Sequence, residues 1–177
     1  FKCDLTEFYE CCDIYADSPE CNSLLVVSDE MEPYEHLFKA YFTEIAAALK
    51  TDGYLLKEDA SMHTFWNFIL GRDYLNSAWT DQLHQKHRLH VIYLAVRPNM
   101  QHHGLADVLI KSPVLMNEVI RYADEHRMMV SLETHNPVNV EFYQRFDFKV
   151  FGIVQKHFDL KQYCLIREIR KRESAAK

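Results

Sequence analysis

The sequence predicts an α/β fold, a mixed and mostly antiparallel sheet flanked by helices. Three observations carry that prediction. The apolar, β-branched run His90–Val96 stops at Arg97-Pro98-Asn99, crosses a polar loop and enters a helical pattern at Leu105. A second strand-like run, Met128–Thr134, turns at His135-Asn136-Pro137 into the short helical stretch Val138–Phe146. Two more strand-like runs close the chain, Phe148–Gln155 and Gln162–Ile169, joined through His157–Lys161. Strands that alternate with helices and then pair among themselves need one sheet with helices on its faces.

The remaining elements follow in order. Residues 1–32 hold a single basic residue, Lys2, among many acids, read either as a solvated face or as a rim that attracts a cationic amine. Within them Ser23–Val27 is a strand closed by Ser28-Asp29. Pro33–Lys50 is the clearest helix: Pro33 suits a first turn, and Tyr34, Leu37, Phe38, Tyr41, Phe42, Ile45 and Leu49 form one apolar stripe. Thr51-Asp52-Gly53 ends it. Tyr54–Lys57 and Met62–Leu70 read as strands of a hairpin around Glu58-Asp59-Ala60-Ser61, broken by Gly71-Arg72-Asp73. Tyr74–His87 reads as a helix. The helix from Leu105 to Lys111 is interrupted at Ser112-Pro113, a new cap and first turn, and resumes over Val114–Arg127. The charged tail Arg170–Lys177 is expected to fray.

Composition narrows the function classes. The chain has 177 residues, 48% of them apolar and 26% charged, enough for one domain with its own core, expected over residues 1–177. A net charge of −6 argues against nucleic acid as partner. No apolar run reaches membrane-spanning length, so no membrane partner is expected. No signal-peptide pattern is read, although the chain opens on Phe1. Five cysteines, with Cys11 and Cys12 adjacent, give no disulfide spacing and fit a reducing, cytoplasmic location. His84, His87 and His90 invite a zinc reading, but His84 and His87 fall near a helix end, His90 lies in the next strand, and no cysteine or carboxylate joins them in sequence. No metal is expected.

The loop between Val96 and Leu105 carries the chemistry. It has no acidic residue from Arg97 to Gly104, and it feeds a helix N-terminus, where free N–H groups and the positive helix end favour an anion. Gly104 lets the backbone approach a ligand closely. Gln101, Gly104 and Ala106 fit the pattern [Q/R]-x-x-G-x-[G/A], which resembles the pyrophosphate-binding motif of the GNAT acyl-CoA N-acyltransferase superfamily. Asn136, Tyr143 and Phe148 are similar to a second signature of that family, N-x-x-A-x-x-x-Y-x-x-x-G-F. Here Asn139 stands where a small residue is common, and Asp147 where glycine is usual, which asks Asp147 for a positive φ. The interruption at Ser112-Pro113 also departs from the family, whose helix there is continuous. The resemblance covers residues 90–169, and the N-terminal half by element order.

The resemblance implies a specific arrangement. The strands His90–Val96 and Met128–Thr134 are to run parallel and splay apart, with acetyl-CoA (coenzyme A) as cosubstrate in the split. Gln101, His102, His103, Gly104, Leu105 and Ala106 are to hold the pyrophosphate through backbone N–H groups. Leu94, Ala95 and Val96 are to pair with the pantetheine arm, a backbone N–H near Val96 is to stabilise the oxyanion, and Asn136 and Asn139 are to line the cofactor site. Tyr143 is to protonate the leaving thiolate. Tyr143 also suits a core position beside Phe142 and Phe146, and Asn136 a helix cap. The family often uses a glutamate on the strand His90–Val96 as base; this strand has none, which leaves His90, Tyr93, Glu133 and His135 as substitutes. The expected reaction is acetyl transfer to a primary amine, small molecule or peptide, with a homodimer left open. The alternative is a non-catalytic acyl-CoA-binding sensor or interaction domain.

Overall fold

The computed structural model describes residues 9, 12–29, 45–46, 49–54, 57, 61–98 and 105–170, with 105–114 described by their backbone. Its strands are β1 (Asp13–Ala16), β2 (Ser23–Asp29), β3 (Arg88–Val96), β4 (Met129–Thr134), β5 (Lys149–Val154) and β6 (Gln162–Arg167). They form one sheet in the order β1-β2-β3-β4-β6-β5. Neighbours are antiparallel except β3 and β4, which are parallel. Parallel strands need a crossover, and α1 (Met62–Arg72) precedes that crossover while α2 (Leu105–His126) supplies it. The short α3 (Pro137–Gln144) follows β4. The mixed, mostly antiparallel sheet flanked by helices is therefore as the sequence predicts.

Alternation along the strands sets two apolar layers. Leu89 and Val91 of β3, Val130 and Leu132 of β4 and Leu165 of β6 share one core with Leu115, Met116, Val119 and Ala123 of α2 and with Tyr143 of α3. A smaller cluster of Trp79, Met129, Cys164 and Ile166 is formed apart from that core. Arg167 of β6, 1% exposed, pins α2 by a two-pronged bond to Asp124, at 2.8 and 2.9 Å.

Five expectations are corrected. Residues 51–54 and 57 are helical, so Thr51-Asp52-Gly53 does not end the preceding helical segment and Tyr54–Lys57 is not a strand. Asp52 there meets Arg72 of α1 at 3.5 Å. Met62–Leu70 is not a strand either but most of α1: Ser61 caps it, its hydroxyl accepting from Thr64 N–H, and Phe65, Phe68 and Ile69 recur at helical spacing. In place of a helix over Tyr74–His87 there is a 3-10 turn, Ala78–Gln82. It is held open by local side-chain bonds, Ala78 N–H to Asn76 Oδ1 and Thr80 Oγ1 to the Ser77 carbonyl. Finally, α2 runs unbroken through Ser112-Pro113. The missing Pro113 N–H deprives the Leu109 carbonyl of its helical donor, a local loss in a helix of 22 residues whose C-terminal half is anchored in the core.

Smaller differences have simple causes. β2 continues through Ser28-Asp29, the expected stop, because both pair with β3. β1 falls within the acidic segment and was not expected as a strand; every residue in it is exposed, so it carries no apolar alternation. Most of the expected helix Pro33–Lys50 lies outside the described residues; residues 45–46 and 49–50 are helical.

Candidate active site

The site is organised by the parting of β3 and β4. Their register runs from Arg88↔Met129 to Val91↔Leu132. Beyond that pair β3 stays with β2, as far as Ser23↔Val96, and β4 stays with β6 through Glu133↔Cys164 and Thr134↔Tyr163. The two strands thus separate, as the resemblance implied. A bulge marks the parting point: Val26 pairs with Tyr93 and Val27 with Val91, so Ile92 is an extra residue on β3. Bulges bend and twist a strand, which turns Ile92–Val96 away from β4.

At the mouth of the split sits a polar cluster. Glu133 is the first β4 residue past the last β3–β4 pair. Its Oε2 lies 3.2 Å from His90 Nε2 and accepts the Trp79 Nε1–H at 3.0 Å. His90 Nδ1 lies 2.9 Å from Ser131 Oγ. The His90 side chain is 5% exposed and that of Glu133 20%. Burial pushes the Glu133 carboxyl up, but the hydrogen bond and charge of His90, the Trp79 donor and the nearby His135 outweigh it and hold it below the ordinary value. Oε2 therefore has two donors, while no hydrogen bond reaches Oε1 among the described residues. Of the four substitute bases the sequence offered, the structure joins His90 and Glu133. His135 is exposed, with Nε2 3.3 Å from Gln162 Oε1, and Tyr93 is exposed on β3.

Trp79 and Ser131 were not singled out by sequence. Ser131 and Glu133 do leave a signal there: they are polar positions that alternate with the apolar Val130 and Leu132 along M-V-S-L-E-T. A strand whose second face is polar needs polar company, and His90 supplies it from the parallel neighbour.

Tyr143 sits on α3, 8% exposed, within the core. Its ring meets Phe142 and Phe148 edge-on, at 5.1 and 5.8 Å between centroids. Burial pushes its phenol up to about 12. Asn136 caps α3, its Oδ1 accepting from Val138 N–H at 3.0 Å, and Asn139 Nδ2 donates to Thr134 Oγ1 at 3.2 Å. Asp147 has φ 67°, the positive value its place in the motif asked for.

The loop itself falls elsewhere. Gln101, His102, His103 and Gly104 lie outside the described residues, and Leu105 and Ala106 are the first two residues of α2. Leu94, Ala95 and Val96 occupy the part of β3 beyond the bulge. The three zinc-spaced histidines do not converge: His84 is exposed, while His90 is committed to Ser131 and Glu133. Among the described residues, no group of three His, Cys, Asp or Glu side chains is arranged to hold a metal ion. Among those residues, too, no helix is long and apolar enough to cross a membrane.

Comparison with known proteins agrees with this geometry. The fold is similar to a crystal structure described as histone acetyltransferase HPA2 and related acetyltransferase from Corynebacterium glutamicum. The TM-score is 0.54 at 12% identity, over 96% of this chain and 71% of that one. Weaker likenesses are to Arabidopsis thaliana NAA60 in complex with a bisubstrate analogue and to Drosophila melanogaster polyamine N-acetyltransferase. The first has 18% identity and TM-score 0.39, over 53% of this chain and 57% of that one. The second has 14% identity and TM-score 0.42, over 83% and 69%. No curated protein sequence matches the chain significantly. Residues 9–148 match the family model described as Acetyltransferase (GNAT) family. With most of its length under that match and the parting strands of that fold, the chain belongs to the GNAT acetyltransferase family.

Proposed function

We propose that the protein transfers an acetyl group from acetyl-CoA to a primary amine by direct attack. The observation that carries the reading is the separation of β3 and β4 immediately after Val91↔Leu132, with an ionisable cluster at its mouth. The chemistry of this chain suits a long anionic thioester. Leu94, Ala95 and Val96 follow the bulge on the side of β3 released from β4, where an extended amide-bearing arm would add like a strand. The backbone from Gln101 to Ala106 leads into the N-terminus of α2, whose N–H groups would take the diphosphate. Tyr143 on α3 keeps its proton at neutral pH and would hand it to the departing sulfur. Asn136 spends its side-chain oxygen on capping α3, so its contribution toward the cofactor is to fix the start of that helix.

The test is release of free CoA thiol from acetyl-CoA, with and without a panel of alkyl, aryl-alkyl and polyamine acceptors and peptides with free N-termini. Amine-dependent release is the expected result. Stabilisation by acetyl-CoA in a melting assay without any amine-dependent release would instead establish a binding domain.

A further inference from the structure

We propose that Glu133 receives the proton that the attacking amine must lose, and that His90, Ser131 and Trp79 are positioning residues that aim its second oxygen at the reacting centre. The proposal rests on the acetyltransferase reading above and assigns the base that the strand His90–Val96 lacks.

The geometry supplies the reasons. Glu133 is where β4 first runs free of β3, so it stands where the split opens, and its backbone is fixed on the other side by pairing with β6. Two donors hold Oε2, one from β3 and one from the 3-10 turn, which fixes the carboxylate plane. Ser131 fixes the imidazole in turn. Its hydroxyl lies 2.9 Å from Nδ1 and donates to the Leu89 carbonyl at 3.4 Å, which holds the ring with Nε2 toward Glu133. Oε1 then keeps its lone pairs for an incoming cation. In the step itself an N–H bond of the ammonium breaks, its electron pair stays on nitrogen as the nucleophile, and an O–H bond forms on Oε1. The proton returns to water after product leaves. A carboxylate held ionised attracts a cationic amine, and Oε1 takes the proton before the freed electron pair attacks the thioester carbonyl.

Among the described residues, the titratable groups that face this carboxylate are His90 from β3, His135 just past the end of β4 and Cys164 from β6. Cys164 is pushed up to about 11, mainly by burial, and stays a thiol. The 3-10 turn contributes only the neutral Trp79, and Arg88, further along β3, bonds Thr80.

Two variants test the proposal against wild-type protein. Glu133→Gln keeps the shape of the side chain and removes the proton acceptor. Its kcat should fall about a hundredfold or more at pH 7, with acetyl-CoA stabilisation unchanged and with part of the rate regained at high pH, where the amine is already free. His90→Phe keeps a ring but removes the donor that opposes burial, so the acid limb of kcat/KM should move to higher pH. A folded Glu133→Gln protein within twofold of wild-type kcat overturns the assignment of Glu133 while leaving the acetyltransferase reading in place. Should Glu133→Gln not fold, an unmoved acid limb in His90→Phe overturns it equally. Wild-type protein that releases no CoA with any amine overturns both.

Discussion

Tyr143 combines two properties that rarely meet without consequence: a phenol buried in the core and a place on the helix that follows β4. With its ionisation pushed up to about 12, it is a neutral donor through any practical assay range. An alkaline fall in rate near pH 9 would therefore belong to another group. Tyr143→Phe keeps the edge-on packing against Phe142 and Phe148 and removes the proton. The expected result is a kcat lower by about ten- to a thousandfold with little change in acetyl-CoA affinity; normal turnover per folded molecule would make it a core residue only. Asp147 offers a stability test at the same scale. Its φ of 67° lies in the left-handed region, where a β-branched side chain crowds the backbone. Asp147→Val should cost roughly 1–2 kcal/mol in urea unfolding. Asp147→Gly should be milder, since the surface pair with Arg170 that it gives up is exposed and worth little.

Among the elements, α2 and β6 are joined by Asp124 and Arg167, and the pair is asymmetric: Arg167 is 1% exposed and Asp124 27%. Removal of the acid strands a buried guanidinium, so Asp124→Ala should lower stability by about 3–5 kcal/mol. A shift under 1 kcal/mol would show that water reaches Arg167. The same elements show what the sequence made legible. Along β3, α2 and β4, strand and helix periods are clean because each of them buries one face in the same core: Leu89 and Val91, like Val130 and Leu132, repeat every second residue, Leu115, Val119 and Ala123 every fourth. Met62–Leu70 misled because Phe, Trp and Ile favour strands locally, whereas the helix there starts at the Ser61 cap and carries Phe65, Phe68 and Ile69 at helical spacing. The 3-10 turn at Trp79 was illegible for a related reason: its anchor, the bond to Glu133, spans 54 residues. For the same reason His90, Ser131 and Glu133 were separate candidates or none at all until the parallel pairing of β3 and β4 brought them together.

At the scale of the whole molecule, the two substrates of the proposed reaction carry opposite charges, and the protein's formal charge is −6. Long-range attraction should speed the arrival of an ammonium ion and oppose that of an anionic acyl-CoA, whose binding then depends on short-range N–H groups at the head of α2. The acids are concentrated early in the chain, where Asp13 stands in β1 and Asp17 in the turn between β1 and β2, and that hairpin borders β3 through β2. Added salt shortens the Debye length from about 30 Å at 10 mM to about 10 Å at 100 mM. Both effects should fade over that range, in opposite directions. With acetyl-CoA saturating, kcat/KM for the amine should fall roughly threefold or more between low and moderate salt. With amine saturating, kcat/KM for acetyl-CoA should hold or rise. A neutral osmolyte at equal osmolality should do neither, which separates screening from a change in water activity. A flat response for the amine, beside a rising one for acetyl-CoA, would make the N-terminal acids a solvated face that repels the cofactor without guiding the acceptor. Recognition of the amine would then rest on short-range contacts at the mouth of the split, where Glu133 stands.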